Sequence, residues 1–522
     1  MPVSFGPNPN QPPEPANQFT NPYAFTNPPV EDQSVVHAEF SEKPPVEKTG
    51  HPWVAWTVIL CVVAYILALP HLAKEDPKAK KTSGGDVVGL KLMEVQGKYF
   101  VGAMNFLPID DEQQEGIYES TSELNRGTLE QRFRYIVLAG ELAGADEAAL
   151  QLTSLNHLVD SNAAKTTPEQ DGVRQALQHL YADYREENWD APSLDENQRQ
   201  LLEAELGWFG ALALAPATSA NQSARDQVVR PARQTFFGVF GIIGMMVLMG
   251  GVGLIGLCVF VVLALTGKVK SRIDAGRPHG GVYAETFAVW MILFVGLSMA
   301  AAIFSNADNH LTVTLAAFSF SLMALAWSVL RGVTWKQVRQ DIGLTIGKHV
   351  VEPFWGFVCY MCTIPLLVGG VIVMLILMSV FGFLLEGGGP GSGDVFAPTN
   401  TPSHPIIEWI AEADFAKTMI IVLLACVAAP IVEEIMFRGV LYRQLRDATA
   451  STRVLVSVLF SGLVSSFIFA IIHPQGIFAV PPLMALAFGF AMAREWRGSL
   501  IAPMTMHALN NGIVTVLMLV IL

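Results

Sequence analysis

Long apolar runs dominate the chain after residue 233. There are eight of them, each near or above the roughly 20 residues that a helix needs to cross a bilayer. They lie at about 235–266, 282–304, 311–330, 354–386, 417–436, 454–472, 476–493 and 500–522. A further run at 53–72 precedes them and is also long enough to span. The pattern predicts an all-α polytopic membrane protein, an eight-helix core preceded by one extra transmembrane anchor.

The stretch between the anchor and the core has a different pattern, with apolar residues three and four apart among charges. That spacing predicts amphipathic helices in a soluble α-helical domain. Both a small bundle and degenerate helical-hairpin repeats remain open, because no fixed period is clear. The first 50 residues, rich in Pro, Asn and Gln, predict a disordered tail. The predicted domains are the tail (1–50), the anchor (51–72), the soluble domain (73–233) and the membrane core (234–522).

Composition supports the membrane assignment and excludes one class of partner. Of 522 residues, 51% are hydrophobic and only 15% are charged, which is too apolar for a soluble protein of this length. The net charge of −13 excludes nucleic acid as a partner, because no basic stripe is present to bind a phosphate backbone. We expect a multi-pass protein in the lipid bilayer of the cell membrane.

Charge in the short loops predicts the orientation. Lys and Arg follow the first, third, fifth and seventh core runs, whereas the alternate loops carry neither residue. The positive-inside rule places the basic loops in the cytoplasm. The soluble domain then lies on the outer side, and the acids of the 417–436 run lie near its cytoplasmic end. Lysines just after the anchor, at positions 74, 78, 80 and 81, favour the opposite placement of the soluble domain, but long loops weigh less in this rule.

Two adjacent acids, Glu433 and Glu434, end one of the apolar runs. A carboxylate at membrane depth costs about 3 kcal/mol on insertion scales, so such residues usually face a protein interior or a wet cavity and mark function. Arg438 is four residues after Glu434 and shares its helix face, so the two can pair. Glu433 points about 100° away on the helix and remains available for another task.

Two histidines and an asparagine complete the set of candidate residues. His473 closes a run and precedes Pro474, which ends the helix and leaves the ring at its terminus. His507 and Asn511 share a face of the last helix and need each other, a partner helix or a ligand. Peptide-bond hydrolysis needs water, a base and donors for the oxyanion, and two neutral histidines can also bind a divalent metal.

In this order, the three motifs resemble those of the CPBP family, the type II CAAX prenyl endopeptidases and the bacteriocin-processing or Abi-type intramembrane proteases. The family pattern is EExxxR, FxxxH and HxxxN or HxxxD on separate helices of an eight-helix core. Here the matching residues run from Glu433 to Arg438, from Phe469 to His473 and from His507 to Asn511. The resemblance covers about residues 235–522, and most strongly 417–522.

The resemblance implies a role for each matching residue. Glu433 is the activating base, His473 helps to hold the water or metal, and His507 with Asn511 completes the metal site or the oxyanion pocket. Glu434 and Arg438 have a structural role and hold the catalytic residues in place. The family is described both as metalloproteases and as glutamate-dependent proteases without metal. If a metal binds to His473, His507 and Glu433, zinc is favoured, although another divalent metal also suits two imidazoles and a carboxylate.

The sequence therefore predicts an intramembrane endopeptidase that hydrolyses a peptide bond of a membrane-associated protein or peptide. The soluble domain is expected to recruit a protein partner or substrate. The alternative is a non-catalytic membrane scaffold or immunity protein that uses the same polar cluster for helix packing. Transport is less favoured, because the two halves show no symmetry of the kind that transporters have.

Overall fold

The computed structural model describes residues 50–72, 84–108, 110–125, 127–161, 166–276, 280–306, 308–345, 351–385, 409–410 and 413–521. The predicted disordered tail lies outside these residues except for Gly50, as do the lysines that follow the anchor. The described part of the chain contains helices and no strands.

The helices follow one another with short connections. The soluble region contains α2 (Gly84–Phe106), α3 (Asp111–Ser120), α4 (Leu129–Ala143), α5 (Ala145–Asp160), α6 (Pro168–Arg185), α7 (Glu196–Leu206) and α8 (Trp208–Leu214). The apolar helices before the motifs are α1 (Pro52–Leu72), α9 (Gln222–Leu265), α10 (Val282–Phe304), α11 (His310–Phe320), α12 (Leu325–Leu330) and α14 (Glu352–Leu385), with the amphipathic α13 (Trp335–Ile342) between the last two.

Three segments carry the motifs. The first is a continuous helical segment over Phe415–Ala448, which we term the central helix. It consists of α15 (Phe415–Leu423), a π-helical segment (Leu424–Ala428), α16 (Ala429–Glu433), a second π-helical segment (Glu434–Leu441) and α17 (Tyr442–Ala448). It is followed by α18 (Val454–Ile471), α19 (Val480–Arg497) and α20 (Ile501–Ile521).

Each of the nine predicted apolar runs forms a helix, which confirms an all-α polytopic membrane protein. Eight helical segments among the described residues are long and apolar enough to cross a membrane, namely the anchor and seven core segments. The remaining core helix, α20, has 21 residues, enough to span, but it carries His507, Asn510 and Asn511 and is not among the eight. The chain is an integral, multi-pass membrane protein.

One sequence expectation is wrong. The acid pair was expected near the end of its span, but the central helix continues to Ala448, so Glu433 and Glu434 lie near its middle. The extension was missed because Arg443 and Arg446 look like loop residues in the sequence. In the fold both arginines are buried against acids of neighbouring helices, Asp341 and Glu495, so the helix continues through them.

The region predicted as a soluble domain forms a helical bundle around α4. This helix packs against α2, α3, α5, α6, α7 and α8, whereas a unit of a repeat solenoid touches only its neighbours. Four of these helices begin with the same reciprocal cap, in which an Asp or Thr side chain and a Gln three residues later satisfy each other's backbone N–H groups. Of the two arrangements left open by the sequence, the bundle is the one formed.

A single helix, α9, links the bundle to the membrane core. It has 44 residues, about 66 Å at about 1.5 Å per residue, and it contains the predicted domain boundary at 233. Its first turns are buried in the bundle, where Arg225 forms a buried ion pair with Glu141 and Ala232 joins the apolar core. Further along, the side chains are apolar and exposed, as expected for contact with lipid.

The ends of the membrane helices show on which side the bundle lies. In the loop before α10, the backbone N–H groups of Arg272 and Gly276 donate to Glu495 and Asp447. In the loop after α13, Gly343 accepts from the N–H of Leu500. These loops therefore meet at one end of the membrane helices, here termed the basic end. The α9 helix starts in the bundle and finishes at this end. Helix α1 runs parallel to α10, because hydrogen bonds join the starts of the two helices (His51 to Glu285) and their later turns (Tyr65 to Met299). Since α10 begins at the basic end, α1 leads away from that end. The bundle therefore lies opposite the basic end.

This arrangement predicts opposite labelling of two engineered cysteines. In a background in which the five native cysteines are replaced, Ser154→Cys on α5 should react with a membrane-impermeant maleimide in intact cells. Lys268→Cys at the basic end should react only after the cells are permeabilised, because α9 crosses the bilayer once between the two positions. Labelling of both cysteines from the same side would contradict the fold.

Candidate active site

The central helix departs from α-helical geometry at two places, both close to the acids. The first π-helical segment ends two residues before Pro430, which has no N–H to donate and whose ring would clash with the carbonyl oxygen four residues earlier, inside this segment. Widening the turn relieves this clash. The second segment begins at Glu434 itself. Such π-helical turns often occur at functional sites, and the motif spacing alone gave no sign of them.

Glu434 and Arg438 form the predicted ion pair, and both side chains are completely buried. Arg438 Nη1 donates to Glu434 Oε1 at 2.9 Å, and Nη2 donates to the carbonyl oxygen of Ala487 on α19 at 3.2 Å. The guanidinium carbon also lies 4.5 Å from the ring centre of Phe469 and 5.1 Å from that of Phe490. Arg438 thus joins the central helix to α18 and α19.

His507 connects the pair to the other glutamate. Its Nδ1 lies 2.8 Å from Glu434 Oε1, and since an ionised carboxylate only accepts, Nδ1 donates the hydrogen. Its Nε2 then faces Glu433 Oε2 at 3.8 Å. The ring also stacks on Phe490, with centroids 5.3 Å apart. The motif spacing predicted only Arg438 as a partner of Glu434. In the structure Glu434 also fixes the tautomer and the orientation of the His507 ring.

Glu433 lies between the two imidazole rings. Its Oε2 is 3.9 Å from His473 Nε2 as well as 3.8 Å from His507 Nε2, and it is buried without a hydrogen-bond donor among the described residues. The Glu433 side chain is 16% exposed and that of His473 is 19% exposed, whereas Glu434 is at 0%. Solvent can therefore reach part of the Glu433 side chain, although not Oε2, and none of the Glu434 side chain.

His473 is held by the end of α18. Its Nδ1 donates to the carbonyl oxygen of Phe469, the other residue of its motif, and this leaves Nε2 as the acceptor nitrogen of the neutral ring. Two acceptor nitrogens and the Glu433 oxygen thus point towards one another. A water molecule about 2.8 Å from each member of such a pair bridges gaps of this size and supplies the missing hydrogens.

Asn511 belongs to a separate set of hydrogen bonds. Its Nδ2 donates to the carbonyl oxygen of Ala425 at 2.9 Å, in the first π-helical segment. Its Oδ1 accepts from Asn510 at 3.3 Å, and Asn510 accepts from the hydroxyl of Tyr360 on α14 at 3.4 Å. Asn511 is therefore oriented by two neighbouring helices, and one of its two N–H groups remains for a ligand.

The structure brings most of the predicted site together. Glu433, Glu434, His473 and His507 form one connected group with Arg438 behind it, while Asn511 lies one helical turn from His507. The sequence reasoning missed the contacts of Phe490, Ala425 and Tyr360. No motif contains them, and nothing in the sequence indicates which aromatic or carbonyl group a distant helix will contribute.

The donor set suits a divalent cation chemically, because two imidazole nitrogens and a carboxylate oxygen face one another. The distances between these atoms are longer than those between the ligand atoms of a bound zinc ion. Ligand atoms about 2.0–2.1 Å from a tetrahedral zinc lie about 3.4 Å apart, whereas these atoms are 3.8 and 3.9 Å apart. Among the residues described by the structure, no group of three His, Cys, Asp or Glu side chains is arranged to hold a metal ion.

Removing Arg438 should strongly destabilise the protein. In Arg438→Met the Glu434 carboxylate loses its buried counter-ion, so we expect the free energy of unfolding in detergent to fall by about 3–5 kcal/mol. Adding Glu434→Gln should restore part of that loss. The matched control is Arg185→Met, whose pair with Asp146 is exposed and contributes about 1 kcal/mol or less. Equal stability of Arg438→Met and the control would refute the anchoring role.

Comparison with known proteins identifies the region that carries the site. A model for the family "Type II CAAX prenyl endopeptidase Rce1-like" matches residues 415–513. The chain is also 31% identical, over 103 residues, to the membrane-embedded CAAX protease MroQ of Staphylococcus aureus (strain USA300). That match covers 20% of this chain and 41% of the relative. No solved structure matches the chain significantly. Residues 415–513 thus form a domain of the type II CAAX prenyl endopeptidase Rce1-like family.

Proposed function

We propose that the protein is an intramembrane endopeptidase that hydrolyses a peptide bond of a membrane-associated protein or peptide. The observation that carries this proposal is the position of Glu433 Oε2, which lacks a hydrogen-bond donor within the described part of the chain and lies within 4 Å of two imidazole nitrogens in a membrane domain. The family match at 415–513 and the similarity to a membrane-embedded CAAX protease support the same reaction.

In the proposed mechanism, Glu433 acts as the general base. A water molecule held between Glu433 and His473 donates one hydrogen to the carboxylate and another to His473 Nε2. Glu433 removes a proton as the water oxygen attacks the carbonyl carbon of the substrate. The same carboxyl group then returns the proton to the leaving amine, so that the enzyme ends the cycle in its starting state.

The developing oxyanion needs donors placed before the reaction begins. We assign this task to Asn511, whose second Nδ2 hydrogen is not used by Ala425, while His507 lines the same pocket with its Nε2 towards Glu433. Glu434 orients the His507 ring through the 2.8 Å hydrogen bond to Nδ1, and Arg438 holds Glu434 in place through their buried ion pair. Glu434 and Arg438 thus act through His507.

The soluble bundle provides the natural place for substrate selection. The match to the relative covers only part of either chain and gives no role for the bundle. Because α9 continues from the bundle into the membrane core, a protein bound to the bundle would be held close to the membrane surface. We therefore assign to the bundle the recruitment of a membrane-associated substrate.

Exchanging Glu433 for glutamine tests the catalytic proposal. Glu433→Gln keeps the shape of the side chain but removes the base, so cleavage should slow by about 10²- to 10⁴-fold with little change in the unfolding midpoint. The assay uses two peptides of one sequence, with and without a prenylated cysteine, in detergent or liposomes.

The control for this assay is Glu203→Gln, an exposed glutamate of the bundle, which should cleave at the wild-type rate. A Glu433→Gln protein that remained folded and fully active would eliminate Glu433 as the base. If neither wild-type nor variant protein cleaved any membrane-bound peptide while both stayed folded, the scaffold alternative would be favoured.

A metal-dependent reaction is the second candidate, favoured by the convergence of His473, His507 and Glu433. A bound divalent ion would lower the pKa of a water molecule to about 7. Metal content of the purified protein, measured beside His473→Ala and His507→Ala, distinguishes the two mechanisms. The spacing of the site predicts active wild-type protein with much less than one metal per chain. Stoichiometric metal that both variants lose would establish the metalloprotease instead.

A further inference from the structure

A second polar site lies at the basic end, away from the proposed active site. It is a cavity of about 440 Å³, within the range of small-molecule sites. Its walls come from the loop after α9, the end of α17 and the start of α18. The lining includes two arginines, three hydroxyl side chains and one acid, namely Arg272, Arg446, Ser271, Thr452, Ser457 and Asp274.

We propose that this cavity binds the phosphate headgroup of an anionic phospholipid whose acyl chains lie along α18. Nothing in the proposed proteolytic mechanism uses these residues. The proposal therefore concerns a separate ligand site on the same protein and stands independently of the catalytic assignment.

The arginines of the lining have N–H donors that suit a phosphate. Arg446 is buried and held in place by Glu495, to which Nε and Nη2 donate, and by Ser457. A guanidinium has five N–H donors, so two remain for a ligand. Arg272 is exposed, and among the described residues only its backbone N–H forms a hydrogen bond, to Glu495, so we assign its side chain to the phosphate.

The cavity opens beside the exposed apolar face of α18, which we expect to contact lipid. Val454 both lines the cavity and is 61% exposed, and the exposed apolar face of α18 continues from it. That face includes Leu455, Leu459, Phe460, Leu463 and Phe467. A polar cavity next to an apolar helix face fits an amphipathic ligand with a polar head and long acyl chains, whereas a free phosphate would use only the polar part.

The surface around the cavity carries exposed basic residues. Lys268, Lys270 and Arg453 lie near the cavity in sequence and are exposed, and basic sites at the cytoplasmic membrane surface attract anionic lipids. Phosphatidylglycerol carries a net negative charge that these cations attract, whereas phosphatidylcholine is zwitterionic.

The test is a lipid titration of the purified full chain in detergent, with bound lipid counted by native mass spectrometry. Wild-type protein should bind phosphatidylglycerol more tightly than phosphatidylcholine. Arg272→Gln should weaken the binding of phosphatidylglycerol by about tenfold, as expected for the loss of one charge-assisted hydrogen bond. Ala450→Leu, which fills the cavity without a change of charge, should weaken it as well.

The matched control is Arg339→Gln, which removes the same charge from an exposed arginine of α13 outside the cavity. It should bind phosphatidylglycerol as the wild type does. Unchanged binding in folded Arg272→Gln and Ala450→Leu would overturn the proposal, and so would equal binding of the two lipids. Displacement of phosphatidylglycerol by millimolar inorganic phosphate would also overturn it, by assigning the cavity to a free anion.

Discussion

The ion pair between Glu434 and Arg438 is the interaction on which the membrane core depends. Both groups are completely buried, and such a pair is stable only when further hydrogen bonds satisfy the charges. Ala487 on α19 accepts a hydrogen bond from Arg438, the rings of Phe469 and Phe490 face its guanidinium, and His507 on α20 donates to Glu434 Oε1. Glu434 Oε2 and Arg438 Nε have no hydrogen-bond partner among the described residues. One charge pair thus holds four helices in register, and it orients the imidazole that faces Glu433.

This arrangement gives two neighbouring acids different properties. Glu434 is excluded from solvent and has a strong donor on either side, so it is suited to hold a positive neighbour in place. Glu433 is partly exposed and faces two acceptor nitrogens, so it is suited to water. The difference arises from the helix geometry, because adjacent residues point about 100° apart and only one of them meets Arg438. A charge that is expensive in a membrane is stabilised at one position, which leaves its neighbour for chemistry.

Much of this could be predicted from the sequence, and the failures have physical reasons. Apolar runs predicted the helices because the bilayer requires length and hydrophobicity, and i, i+4 spacing predicted the pairing of Glu434 with Arg438 because it is local. The contact of His507 with Glu434 joins residues 73 positions apart, which no spacing rule reaches. The extent of the central helix was also missed, because the burial of Arg443 and Arg446 depends on acids of other helices.

In the proposed mechanism, Glu434 affects the reaction only through His507, while Glu433 acts on the water. Single-turnover cleavage rates of Glu434→Gln, His507→Ala and the double variant, measured beside wild-type protein, test this claim. If the claim holds, the double variant is as slow as His507→Ala alone, because residues that act as a unit are not additive. If the two rate losses multiply in folded proteins, Glu434 acts independently of His507 and the account is contradicted.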